Sequence, residues 1–129
     1  NSLTPFTGTL DGRGYSVENL FINAKDKNNI GLFGYAENSE IKNLGLVKVS
    51  ISGNNKIGAL AGNINAGGKV LNCFSTGEIS GNINVGGLIG SIKEGNIENS
   101  YSATNINGNY NAGGLVGWNV ETLLITPMQ

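Results

Sequence analysis

Histidine is absent from this 129-residue chain, and cysteine occurs once, as Cys73. Without histidine, the usual base for a serine or cysteine nucleophile is missing. A single cysteine makes neither an intrachain disulfide nor a metal site, so Cys73 reads as a small apolar core residue. Charged residues are scarce at 13%, against a usual quarter, and the net charge is −1. That balance offers no basic face to nucleic acid or anionic lipid. No apolar run approaches the ~18 residues of a membrane span, and no signal peptide is visible. The expectation is therefore a protein with no cofactor, no nucleic-acid partner and no membrane insertion. The chain opens on Asn1 rather than methionine, so we read it as a segment of something longer.

What the chain has in abundance is glycine and asparagine, 21 of each. With few charges, that composition would suit a disordered linker, but the isoleucines, leucines and valines recur at fixed places. Four glycine-bounded segments match: 31–34, 58–62, 86–90 and 113–117. Their closing glycines, Gly34, Gly62, Gly90 and Gly117, are 28, 28 and 27 residues apart. A second glycine, at Gly53, Gly81 and Gly108, stands nine residues before the closing one, and Asn54, Asn82 or Asn109 follows it. Apolar positions align between these anchors. Ile41, Val70 and Ile97 form one set, and Leu46, Phe74 and Tyr101 a second. Ile51, Ile79 and Ile106 form a third, and Leu60, Leu88 and Leu115, joined by Leu32, a fourth. Asn72 matches Asn99, and Asn43 matches with a one-residue shift.

Short, roughly alternating runs between glycine and asparagine turns read as strands, and no stretch carries a helical period. Self-similarity at this spacing is the mark of a solenoid. The predicted fold is an all-β parallel β-solenoid, or β-helix, with coils of about 27 residues and three short strands per coil. One coil cannot bury its apolar face alone, whereas stacked coils, about 4.8 Å apart, pile equivalent side chains into interior ladders. Ile51, Ile79, Ile106, Leu60, Leu88 and Leu115 are the expected core ladder. Gly34, Gly53, Gly62, Gly81, Gly90, Gly108 and Gly117 are the expected turn glycines, serving corners or close backbone approaches. Asn72 and Asn99 are expected in a ladder at a turn. We read the whole of 1–129 as a single segment: an irregular first coil over 1–30, repeats over 31–117, and the start of a further coil or a cap over 118–129.

The glycine-leucine signatures at 31–34, 58–62, 86–90 and 113–117, together with Asn-Cys-Phe-Ser-Thr-Gly at 72–77 and Asn-Ser-Tyr-Ser-Ala-Thr at 99–104, resemble the bacterial GLUG repeat. The opening stretch from Phe6 to Tyr15 is similar to the segment that leads into such arrays. The second copy departs from the pattern, with Ala59 and Ala61 in place of a glycine and a larger residue. The resemblance implies a secreted or cell-surface protein. Such repeats occur in adhesin-like proteins and in non-catalytic regions of IgA-cleaving metallopeptidases, and the resemblance brings no catalytic residues with it.

An enzymatic β-helix would need acids or bases gathered on one face. Glu98 falls in register with Lys42 and Leu71, and Glu78 with Ser50 and Asn105, so no carboxylate ladder is expected. The Asp11–Gly14 stretch reads as a tight turn, because calcium takes six or more oxygen ligands. The glycine clusters are not followed by a helix, so they are no dinucleotide loop. Thr76 aligns with Ala103, which breaks any threonine row of the kind ice binding favours. Tyr15, Tyr35, Tyr101, Tyr110 and Trp118 are candidate aromatic contacts, with Tyr101 expected in the core and no repeated aromatic strip among them. The leading expectation is a non-catalytic structural or adhesive module of an extracellular bacterial protein. Its partners would be flanking coils or domains of the same chain, and a host protein or glycan. A second reading is a spacer or substrate-recognition region of a secreted IgA-cleaving-type peptidase, and a third is a carbohydrate-binding β-helix.

Overall fold

The structure, a computed structural model, describes residues 4–120 together with the backbone of 123 and 124. The chain winds through four coils and enters a fifth. The first coil holds β1 (Thr9–Asp11), β2 (Ser16–Glu18), β3 (Phe21–Asn23) and β4 (Phe33–Glu37). The second holds β5 (Glu40–Lys42), β6 (Gly45–Ser52), β7 (Asn55–Ile57) and β8 (Ala61–Asn65). The third holds β9 (Lys69–Leu71), β10 (Phe74–Ser80), β11 (Ile83–Gly86) and β12 (Ile89–Lys93). The fourth holds β13 (Asn96–Glu98), β14 (Tyr101–Asn107), β15 (Tyr110–Gly113) and β16 (Val116–Val120), after which β17 (Leu123–Leu124) pairs with β13. Of the segment 118–129, residues 121, 122 and 125–129 lie outside the described residues.

Every strand pairs in parallel with its equivalent one coil away, giving the sheets β1-β5-β9-β13-β17, β2-β6-β10-β14, β7-β11-β15 and β4-β8-β12-β16. In the first coil β3 also pairs with β6, and Ile30 bridges Ile57 where a strand would begin the third sheet. The solenoid expectation is therefore met, with one correction: a full coil carries four strands rather than three. The run from Val70 to Ser75 is not one strand, because Asn72 takes a left-handed conformation, φ 55°, and turns the chain between β9 and β10. Beyond it, β10 runs straight through Gly77 to Ser80.

Register follows the isoleucines. Ile51 pairs with Ile79, and Ile79 with Ile106, while Ile22 joins from the first coil. Leu10, Ile41, Val70 and Ile97 form a second column. Ala36, Ile64 and Ile92 form a third. Leu60 N–H donates to Leu88 O, and Leu88 N–H to Leu115 O, at 2.8 and 3.0 Å. Leu60 and Leu88 are fully buried, and Leu32 and Leu115 pack against the same core. Each fully buried isoleucine or leucine contributes about 1.5–3 kcal/mol relative to exposure, which is why the ladders hold the rod.

The second set of aligned positions needs correction. Leu46 pairs with Ser75, whereas Phe74 pairs with Gly45 on one side and Tyr101 on the other. The extra residue of the second coil sits inside β6 as a bulge: Ser75 pairs with Leu46 but Gly77 with Val49, so Val47 and Lys48 oppose Thr76 alone. Lys48 takes φ 59° there, and its N–H donates to Thr76 Oγ1 at 2.9 Å. A bulge absorbs one residue without ending a strand. That offset moves Leu46 out of the Phe74 column. Ser75, now inside, donates to Gly87 O at 2.7 Å and lies 3.0 Å from Ser102 Oγ, which is 2.8 Å from Thr104 Oγ1.

Candidate functional site

The corner between the first and second sheets concentrates the side chains with chemistry to offer. Asn43, Asn72 and Asn99 occupy it in successive coils with φ of 58°, 55° and 50°. Asparagine tolerates this left-handed region because its short amide hydrogen-bonds locally. Asn72 Nδ2 donates to Asn43 Oδ1 at 3.1 Å, and Asn43 Nδ2 donates to Asp11 Oδ1 at 3.0 Å. Asn72 and Asn99 both stand at the expected turn, and the amide bonds run from Asn72 through Asn43 to a carboxylate. The Asn43 amide, followed by the Arg13 backbone N–H at 2.9 Å, holds the Asp11 carboxyl below the usual carboxylate range.

Two residues past the corner, the aromatic rings of Phe74 and Tyr101 stack on the outside of the second sheet. Their centroids are 5.2 Å apart and their planes 7° from parallel. Tyr101 is 38% exposed, so the expectation that it lies in the core is wrong. Of the five candidate aromatics, Tyr101 alone is in a ring stack among the described residues, and its partner is Phe74. The column continues downward with Gly45, where a side chain would collide with the Phe74 ring. Beside the rings, Asn43, Leu44, Gly45 and Asn72 line a cleft of about 330 Å³, open at Gly14, where an added Cβ would meet nothing within 4 Å.

The other sequence candidates are scattered. Tyr15, Tyr110 and Trp118 are exposed. Tyr35 donates to Glu37 Oε1 at 2.6 Å, and that hydrogen bond raises its phenol above the ordinary value. Glu98 pairs with Leu71, Glu78 with Ser50 and Asn105, and Thr76 with Ala103, as the repeat alignment requires. Glu40 lies 3.6 Å from Lys42, both partly exposed. Among the described residues no group of three or more acidic, cysteine or histidine side chains is placed to hold a metal. Nor is any helix among them long and apolar enough to cross a membrane. Cys73 is buried, its Sγ 3.4 Å from Leu71 O, and burial pushes its thiol up to about 11.

The seven recurring glycines divide into two groups. Gly53, Gly81 and Gly108 follow β6, β10 and β14 at a corner. Gly34, Gly62, Gly90 and Gly117 are not turn residues but lie inside β4, β8, β12 and β16. None of the seven has a positive φ. The closing glycines exist because neighbouring backbone presses on them. At Gly90, a Cβ would collide with Ile57 N and lie 2.6 Å from both Lys56 C and Gly62 O.

Sequence reasoning missed Phe74 with Tyr101 as an outward-facing pair. The signal was present: both aromatics stand two residues after a corner asparagine and directly before a serine that turns inward. Over 96 residues, 74% of this chain, the sequence is 37% identical to Halomucin of Haloquadratum walsbyi. Those residues span 1% of that protein's length. No family profile and no solved structure matches the chain.

Proposed function

We propose that this segment is a non-catalytic structural and adhesive module, of the GLUG-repeat kind, within a secreted or cell-surface protein. The observation that carries the reading is unbroken parallel pairing through all four sheets, with apolar ladders along the axis. Such stacking makes a stiff rod whose length grows by about 4.8 Å per coil. Its job is to hold other parts of a long chain at a fixed separation and to present a lateral face. The similarity to a protein of which this chain covers 1% supports a setting in which such coils are a small part of a very long polypeptide. Among the described residues, Glu78 and Glu98 meet no second carboxylate in register, which favours a module without its own chemistry.

The test is small-angle scattering on the segment and on a version with β9–β12 duplicated in frame. The maximum dimension should rise by about 5 Å with the added coil. An unchanged dimension, or a flexible-chain profile, defeats the rod. Turnover of a protein or glycan substrate by the purified segment defeats the non-catalytic reading.

A further inference from the structure

We propose that the cleft beside Phe74 and Tyr101 is a binding subsite for a neutral pyranose sugar. The proposal deepens the adhesive reading and rests on it. A pyranose ring carries an apolar C–H face and a rim of hydroxyls, and the cleft offers the complement of each. The stacked Phe74 and Tyr101 rings supply a partly exposed apolar platform, one that two coils build in register. The amide ladder supplies the polar edge. An amide has two N–H donors and a carbonyl with two lone pairs. The Asn72–Asn43–Asp11 chain uses one N–H of each asparagine, which fixes the orientation of both amides toward an incoming hydroxyl. Small-molecule sites are of this kind: clefts of about 300 Å³ or more, mostly apolar, with a few oriented polar groups.

Charge selects within the sugar class. No charged side chain of either sign lines the cleft among its described residues. An ionised sugar would give up hydration there with no opposite charge in the lining to offset it, so the neutral ring is favoured. Access is set by glycines. Gly14 leaves the mouth open, and Gly45 leaves the Phe74 ring lying on bare backbone beside the amides. The module then carries its ligand on a corner of the rod, where the coil repeat allows further subsites wherever an aromatic follows the corner asparagine.

The experiment is a titration of isotope-labelled protein, read by amide NMR, with methyl β-D-galactopyranoside, methyl β-D-glucopyranoside and N-acetylglucosamine. N-acetylneuraminic acid is the anionic comparison. At least one neutral sugar should saturate in the millimolar range, moving the Gly45 amide and the Asn43 and Asn72 side-chain amides while Ile57 and Val85 stay fixed. Tyr101→Leu keeps the bulk and removes the ring. It should weaken binding about 2- to 10-fold, the equivalent of one aromatic contact, while Tyr101→Phe keeps it. Absence of shifts with all three neutral sugars overturns the subsite. So does equal affinity for N-acetylneuraminic acid, or a Tyr101→Leu protein that binds as well as its parent. Each of these leaves the scattering result, and with it the rod, standing.

Discussion

Two kinds of column run along this rod, and they solve opposite problems. The Gly34–Gly62–Gly90–Gly117 column sits inside strands, with ordinary φ, where neighbouring backbone leaves no room for a side chain. The asparagine columns sit at corners where the backbone must turn left-handed. Besides Asn43–Asn72–Asn99 there is a second, Asn29–Lys56–Asn84–Asn111, with φ of 60°, 66°, 60° and 53°. A third corner shares the conformation with mixed residues, Asn38, Ala66 and Glu94. In these columns glycine, the residue usually assigned to turns, serves proximity and asparagine curvature, while Gly14 and Gly67 turn left-handed elsewhere, with φ of 83° and 82°. The reason lies in stacking. A corner repeated every coil rewards a side chain that can bond its copy above and below, which glycine cannot do.

The largest expected loss of stability comes from the glycine column. Gly90→Ala puts a methyl group against Ile57, Lys56 and Gly62 backbone atoms of the coil below, none of which can yield as a side chain would. Overpacking of this kind costs about 3 kcal/mol. Urea unfolding followed by far-ultraviolet circular dichroism should show the midpoint fall sharply. A midpoint near that of the parent protein would mean the two coils separate easily there, and the proximity argument would fail.

The next effect lies directly behind the asparagine corner. Cys73 follows Asn72 into the core, and its thiol is pushed up from an ordinary 9.0 to about 11 by burial. In the unfolded chain the thiol ionises above pH 9, while in the folded rod it keeps its proton. Its stabilisation is therefore complete below pH 9 and lost as pH rises from 9 through 11. Two pKa units correspond to about 3 kcal/mol at most. Cys73→Ala should flatten the fall in stability between pH 9 and 11 relative to the parent. An identical slope in both proteins would show that the thiol is not shielded.

A smaller loss separates the two services of asparagine. Asn72→Ala removes the amide bonded to Asn43 and puts a Cβ without local hydrogen bonding into the left-handed region. The expected cost is about 1–2 kcal/mol. Asn72→Gly keeps the turn and loses only the ladder, so its midpoint should fall between those of Asn72→Ala and the parent. If the glycine variant matches the parent, the ladder contributes nothing and the corner is purely conformational.

The sequence carried the coil length, the parallel stacking and the isoleucine register, because aliphatic residues recur at the coil spacing with few exceptions. Ile51, Ile79 and Ile106 could be aligned by counting alone. Counting failed at Leu46. The extra residue of the second coil went into a bulge at Lys48 rather than a loop, and nothing in Gly-Leu-Val-Lys-Val-Ser marks which residue is spare. That one-residue uncertainty hid the outward-facing Phe74–Tyr101 stack, since a one-residue slip exchanges the inner and outer faces of a strand. The fourth strand per coil was hidden for a related reason. The corner at Asn72 lies inside an otherwise strand-like run, and only its φ separates β9 from β10.

The gentlest perturbation completes a column. In Asn29–Lys56–Asn84–Asn111, lysine holds the left-handed position without an amide, and Asn29 Oδ1 is buried with no hydrogen-bond partner. Higher in the same column, Asn111 Nδ2 donates to Asn84 Oδ1 at 2.9 Å. The sense of the bond is the same at the other corners: the upper coil's amide nitrogen meets the lower coil's oxygen, as for Asn109 on Asn82 at 2.8 Å and Asn72 on Asn43 at 3.1 Å. Lys56→Asn would therefore place a donor over the orphaned Asn29 oxygen and an acceptor beneath Asn84. Satisfying a buried acceptor and easing the backbone should together stabilise the rod by about 1 kcal/mol. The checks are a raised urea midpoint and a slower-exchanging side-chain amide signal at the new asparagine. A lowered midpoint would mean that the lysine stem, lying along the corner, contributes more than an unbroken ladder does.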